Sequence, residues 1–216
     1  MRATGHLMTD SEQDNPKRAI LDAAEELMAR KGYKGTSIRS ISEAAGVNVA
    51  MISYYFGSKE RLLRAIIARH CNDLSFILEE VLAEGRDPLT MLRSYLDRFI
   101  DYSFDHSRPL IIAVREVGMI KDHPGILGEL EQTLSENRLR LVEMFEKVIQ
   151  IKKMRNPDTE MYVLTFSSLV ETTIVNMFLF GSCIPLTGAT PSDPAEVKVR
   201  LKDHLTSMIE LVFKGE

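Results

Sequence analysis

Apolar positions recur every three or four residues along most of this 216-residue chain and nowhere alternate for long, so the pattern predicts helices and no sheet. After Pro16, the residues Ile20, Ala23, Ala24, Leu27 and Met28 form one stripe, with Asp22, Glu25, Glu26 and Arg30 facing away. Pro16 loses no hydrogen bond in a first turn and Gly32 suits a left-handed C-cap, which brackets a first helix between them. Thr36 or Ser37 can cap a second helix, Ile38 to Ala45, which Gly46 ends. A short third helix follows from about Asn48 to Tyr55. A fourth opens at Ser58, carries Leu62, Leu63, Ile66 and Ile67, and continues to about Leu82 before Gly85.

Breakers divide the rest into longer helices. Pro88 opens one to about His106, and Pro109 opens a shorter one to about Ile120. The turn Asp122-His123-Pro124-Gly125 precedes a long helix reaching Lys153. Asn156-Pro157 starts another to about Gly181, and a Pro- and Thr-rich loop from Ile184 to Pro194 leads to the last, ending at Phe213. The fold class is therefore all-α. Residues 1–15 are expected to be a disordered tail, 16–63 a small N-terminal unit and 64–216 a helical body.

The last two helices are unusually apolar. Between Met161 and Ile184, apolar residues occupy more than one face, while Leu201, Leu205, Met208, Ile209 and Val212 make a single stripe. A helix apolar nearly all round is buried on both sides. Pairing the segments Pro157–Gly181 and Asp193–Phe213 with a second copy would bury the excess as a four-helix interface; burial inside one subunit is the alternative.

Charge changes the picture more than composition does. The chain carries a net charge of −4, which does not by itself suggest nucleic acid. Residues 15–69, however, hold ten Lys/Arg against five Asp/Glu, whereas residues 70–216 hold sixteen against twenty-three. A basic end on an acidic body concentrates phosphate attraction at that end. No run of ~18 apolar residues suggests a membrane span, and the polar start lacks a signal-peptide core, so a cytoplasmic protein is expected. Cys71 and Cys183 fit no metal or redox spacing, and His70, His106, His123 and His204 share no ligand spacing; neither a metal nor another cofactor is expected.

The basic end contains the informative block, residues 32–63: GYKGTSIRSISEAAGVNVAMISYYFGSKERLL. It reads as two short helices around a tight turn. Ala44 and Ala45 are small enough for a close crossing, Gly46 supplies the positive-φ corner, and Val47 and Ile52 can plug into the core with Ile38 and Ile41. That leaves Asn48, Val49, Ala50, Met51, Ser53 and Tyr54 facing outward. A face with small and amphipathic residues and no acid suits a major groove.

This block resembles the DNA-binding region of the TetR family of one-component bacterial regulators. The entry Gly32-Tyr33-Lys34-Gly35-Thr36-Ser37, the turn Ala44-Ala45-Gly46-Val47 and the exit Tyr55-Phe56-Gly57-Ser58-Lys59-Glu60-Arg61-Leu62-Leu63 match its pattern in order and spacing. The resemblance implies a recognition helix from Asn48 to Tyr54, with Asn48, Val49, Ala50 and Met51 reading bases. It places Thr36, Ser37, Arg39 and Lys59 at backbone phosphates. Ser53 stands where the family often has tyrosine, which shifts phosphate work to Tyr54 and Tyr55. Thr36 can instead be only a cap, and Tyr55 and Phe56 core residues. The resemblance further implies a homodimer on a palindromic double-stranded operator, acting as a ligand-responsive repressor.

For an effector, Met91, Tyr95, Phe99, Tyr102, Arg115, Met119 and Phe145 can line a cavity or be plain core. Glu171 and Asn176, with Thr172 and Thr173, interrupt an apolar run and must bond another helix, a twofold mate or a ligand. No P-loop, GxGxxG, HExxH or GxSxG motif argues for an enzyme. A body of ~150 residues exceeds what dimerisation needs, which favours a sensor over a constitutive DNA-binding protein.

Overall fold

The structure is a computed structural model, and it describes residues 15–116, 124–152, 158–180 and 193–213. These residues form the helices α1 (Pro16–Lys31), α2 (Ile38–Ala45), α3 (Val49–Phe56), α4 (Lys59–Ala83), α5 (Pro88–Asp105), α6 (Arg108–Arg115), α7 (Pro124–Lys152), α8 (Thr159–Phe180) and α9 (Pro194–Phe213). No strand occurs among the described residues, as the 3.6-residue periodicity requires. The expected tail before Asn15 and most of the Ile184–Pro194 loop lie outside the described residues.

The chain divides into two compact units, Met1–Ile67 and Ala68–Glu216, and α4 runs unbroken through the division. The division falls one helical turn beyond the expected boundary at residue 63, because Ile66 and Ile67 are buried like Leu62 and Leu63 before them.

In the first unit Ile20, Ala24 and Met28 of α1 are buried along with Ile41 of α2 and Ile52 and Phe56 of α3. Each large side chain taken fully out of water stabilises the unit by about 1.5–3 kcal/mol. Asn15 caps α1 by accepting the Lys17 amide at 3.0 Å. Gly32 ends the helix at φ 74°, its amide donating to the Met28 carbonyl at 2.9 Å. Of the small pair Ala44-Ala45, Ala44 is exposed and Ala45 half-buried, while Ile41 and Ser42 are the buried residues of α2. Ser42 can enter because its hydroxyl donates to its own helix at the Arg39 carbonyl, 2.9 Å away.

The second unit is organised around one apolar core drawn from α4, α5, α7, α8 and α9, including Leu92, Leu96, Ile100, Met144, Val148, Val170 and Ile174. Phe145 stands among Tyr162, Phe166 and Phe213 with ring centroids 5.6–6.5 Å apart. Leu201, Leu205, Ile209 and Phe213 of α9 all belong to this core. The α9 stripe expected at a subunit interface is therefore spent inside one chain, because residues i, i+4, i+8 line the face that α5 and α7 cover. An ion-pair ladder clamps the same helices. Lys198 reaches Asp101 and Asp105 at 2.9 and 3.1 Å, and Lys202 reaches Asp97 and Asp101, both at 2.7 Å.

α8 buries Val163, Phe166, Val170, Ile174 and Met177 but exposes Met161, Leu164 and Phe178. Three of its hydroxyls are satisfied within the helix: Thr165, Ser167 and Thr173 donate to carbonyls four residues back at 2.7–2.9 Å. By length and composition Thr159–Phe178 could cross a membrane, but the buried side of this helix belongs to the core of the second unit.

Candidate nucleic-acid interface

The reading head is built from the turn outward. Gly46 takes φ 66° and ψ 28°, the left-handed corner. A Cβ there would meet nothing within 4 Å, so it is backbone conformation, not space, that demands glycine. The amide of Val47 then closes on the Ser42 carbonyl at 3.0 Å. Asn48 starts α3 as its cap, Oδ1 accepting from the Ala50 amide at 2.9 Å. That leaves the Asn48 amide group, not its carbonyl oxygen, as the part offered outward.

On α3, Ile52 and Phe56 point into the core, while Val49, Ala50, Ser53 and Tyr54 are exposed and Met51 and Tyr55 are half-buried. Tyr54 is 83% exposed and meets Tyr55 edge-on at 5.1 Å. A ring left so open in water gains little from its own fold. α3 contains no acid, and the exposed side chains of Ser37 and Arg39 stand on α2. Arg39 donates its Nε to Glu43 at 3.0 Å, leaving its terminal amino groups facing solvent.

Two expected phosphate ligands are placed differently. Thr36 is only 1% exposed, and its hydroxyl donates to the Gly32 carbonyl at 2.9 Å. Its side chain is a brace of the loop and offers nothing to DNA; the cap of α2 is Ser37, in a reciprocal box with Ser40. The Lys59 ammonium turns inward, donating to the carbonyls of Tyr33 at 2.9 Å and Thr36 at 2.8 Å, and lies 4.1 Å from the Tyr33 ring centre. Two of its three protons are thereby committed to holding the loop that starts α2 against the start of α4. Sequence reasoning missed Tyr33 and Gly35 as partners in this loop. A Cβ on Gly35 would overlap the Lys31 carbonyl oxygen, so the loop can close on α1 only with glycine there. The short Gly-Tyr-Lys-Gly spacing was the available signal.

The residues proposed to line an effector cavity separate into two groups. Met91, Tyr95, Phe99 and Phe145 are buried in the core of the second unit. Tyr102 is half-buried, donates to Asp73 at 2.7 Å and stacks between His70 and His106. Arg115 and Glu171 are exposed, Asn176 is half-buried, and Met119 lies outside the described residues.

The family model described as bacterial regulatory proteins, tetR family, matches residues 20–66, the segment that carries this head. An HTH-type transcriptional regulator from the lacX 3′ region of Lactococcus lactis subsp. lactis is 33% identical over 135 residues, 60% of this chain and 67% of its own. This chain spans between half and two thirds of the length of the first curated relatives it matches. The structure of the ketosteroid transcriptional regulator KstR2 of Mycobacterium tuberculosis superposes with a TM-score of 0.70 at 15% identity, over 91% of this chain and 94% of that one. AibR, solved with isovaleryl coenzyme A and operator DNA, superposes with a TM-score of 0.68 at 19% identity, over 94% of this chain and 100% of that one. The fold, the reading head and these likenesses agree, and the chain belongs to the TetR family of DNA-binding transcriptional regulators.

Proposed function

We propose that this protein is a cytoplasmic homodimeric repressor that holds a palindromic operator and is released from it by a small molecule bound in the helical body. The observation that carries the DNA reading is the acid-free exposed face of α3, with Tyr54 left open in water. Val49, Ala50 and Met51 meet thymine methyl groups, Asn48 offers its amide to a base or phosphate, and Ser37, Arg39, Ser53, Tyr54 and Tyr55 reach the backbone. Lys59 adds at most its third proton, beside the N-terminus of α4. For release, α4 is the natural lever, since one unbroken helix belongs to both units. Moving its far end would spread the recognition helices of a dimer out of register with major grooves roughly 34–36 Å apart. AibR, crystallised with an acyl coenzyme A and its operator, is a precedent for a fold of this kind meeting both partners.

The test is selection of a binding site from random duplexes by the full-length protein at about 0.15 M salt. A pseudo-palindrome is expected, with Ala50→Ser or Met51→Ala changing the preferred half-site and Arg39→Ala lowering affinity for all duplexes alike. Recovery of no common sequence would defeat the reading.

A further inference from the structure

Before any DNA arrives, the fold has already sorted the hydrogen-bonding groups of Asn48. The residue is exposed, holds an extended backbone (φ −73°, ψ 143°) and caps α3, its Oδ1 accepting the Ala50 amide proton at 2.9 Å. The side-chain amide cannot be turned over. Its other end carries protons, which would then face the Ala50 proton with no acceptor between them. The oxygen is thus committed to the first turn of its own helix, and the two Nδ2 protons are the capacity left for a partner outside. Among the described residues no hydrogen bond engages Nδ2. The next two residues, Val49 and Ala50, are exposed and have apolar side chains, and α3 contains no acid to take those protons up.

This arrangement changes what the side chain reads. An asparagine with both ends free pairs with adenine, its oxygen accepting from N6 while its nitrogen donates to N7. At Asn48 the oxygen is held by the cap, so the N6 amino group of an adenine would go unmet. Cytosine presents only a donor in the major groove and is excluded for the same reason. Thymine offers a single acceptor beside its methyl group. Guanine offers two acceptors, O6 and N7, and no donor. One nitrogen with two protons can engage both, as a lysine ammonium does on the same edge.

We infer that Asn48 is a specificity-determining residue that selects guanine, its Nδ2 donating to O6 and N7 in the major groove while Oδ1 stays on the cap. This deepens the operator reading and rests on α3 being the recognition helix.

The test repeats the selection from random duplexes with the full-length protein and with its Asn48→Gly and Asn48→Asp variants. Glycine is tolerated as a cap and removes the side chain, whereas aspartate keeps the cap but carries only acceptors outward. A position in each half-site should lose its preference in Asn48→Gly, and the unmodified protein should hold guanine there. Asn48→Asp should abandon guanine at that position and favour cytosine, whose N4 donates to a carboxylate. In the selected duplex, replacing that guanine by 7-deazaguanine, which lacks the N7 acceptor, should weaken binding by the unmodified protein about fivefold or more. Another base at the position, no position that responds to Asn48→Gly, guanine retained by Asn48→Asp, or indifference to 7-deazaguanine would each overturn the proposal and leave the operator reading standing. Recovery of no common sequence by the unmodified protein would defeat both.

Discussion

At the scale of single residues, the inward turn of Lys59 carries the most testable consequence. Hydrogen bonds to a charged donor are worth about 1.5–3 kcal/mol, more than an exposed contact contributes. Lys59→Met should therefore lower the urea midpoint, by about 1–2 kcal/mol in stability, while Lys59→Arg keeps part of it. A phosphate contact would instead show as a salt slope for DNA binding reduced by roughly one unit with stability intact. Measuring both quantities on one variant decides between the two roles. The glycines of the head behave differently from each other. Gly46→Ala should cost about 1–2 kcal/mol for its left-handed backbone alone, and Gly35→Ala more, since the Lys31 carbonyl must move.

His70 ties stability to pH. Its Nδ1 is buried with no hydrogen-bond partner among the described residues, and its ring stacks on Tyr102 at 5.4 Å. Burial, with help from His106, outweighs the attraction of Asp73 and holds the imidazole at about 4. The unfolded chain thus takes up a proton near pH 6.5 that the folded chain refuses until about pH 4. Stability is full above the unfolded value and is lost as the pH falls through that window. Between about pH 7.5 and about pH 5 the loss from this residue should reach about 2 kcal/mol, and urea unfolding of His70→Leu should show a correspondingly smaller difference.

At the scale of helices, the α5–α9 ladder shows how exposed charges pair when they share partners. Burial works against ionising Asp101, but Lys202 and Lys198 outweigh it and hold the carboxyl below its usual range. Its contribution is present above the ordinary carboxylate range and fades as acid protonates it. The carboxylates are open to solvent and the two lysines only half-buried, so the network is worth little per pair. Replacing both Lys198 and Lys202 by Met should cost no more than about 1 kcal/mol in low salt, and less in high salt, as measured by thermal melts.

At the scale of the whole molecule, the open question is what covers α8. With Leu205 and Ile209 buried within one chain, the faces left for a second copy carry Met161 on α8 and Leu211 on α9. Sedimentation of the unmodified chain at micromolar concentration should give a dimer. Met161→Glu combined with Leu211→Glu should give a folded monomer with unchanged helix content, whereas Leu205→Glu should unfold the second unit. A dimer that survives the double change would move the interface elsewhere.

Local signals in the chain set most helices and their ends, because stripes, prolines and glycines act locally: α2 runs from Ile38 to Ala45 as its cap and Gly46 dictate, and Asn48 opens α3; α6 departs from this, stopping at Arg115 short of the expected end near Ile120. The sequence by itself also determined the outward face of α3, since period 3.6 fixes which side chains oppose Ile52 and Phe56. Tertiary structure decided how shared resources were spent. A lysine beside a phosphate-binding motif and a lysine that closes a loop 26 residues away read alike in sequence; only the folded distance to Tyr33 separates them. An apolar stripe likewise states that a face must leave water but not what covers it, and packing against α5 and α7 claimed the α9 stripe for the interior.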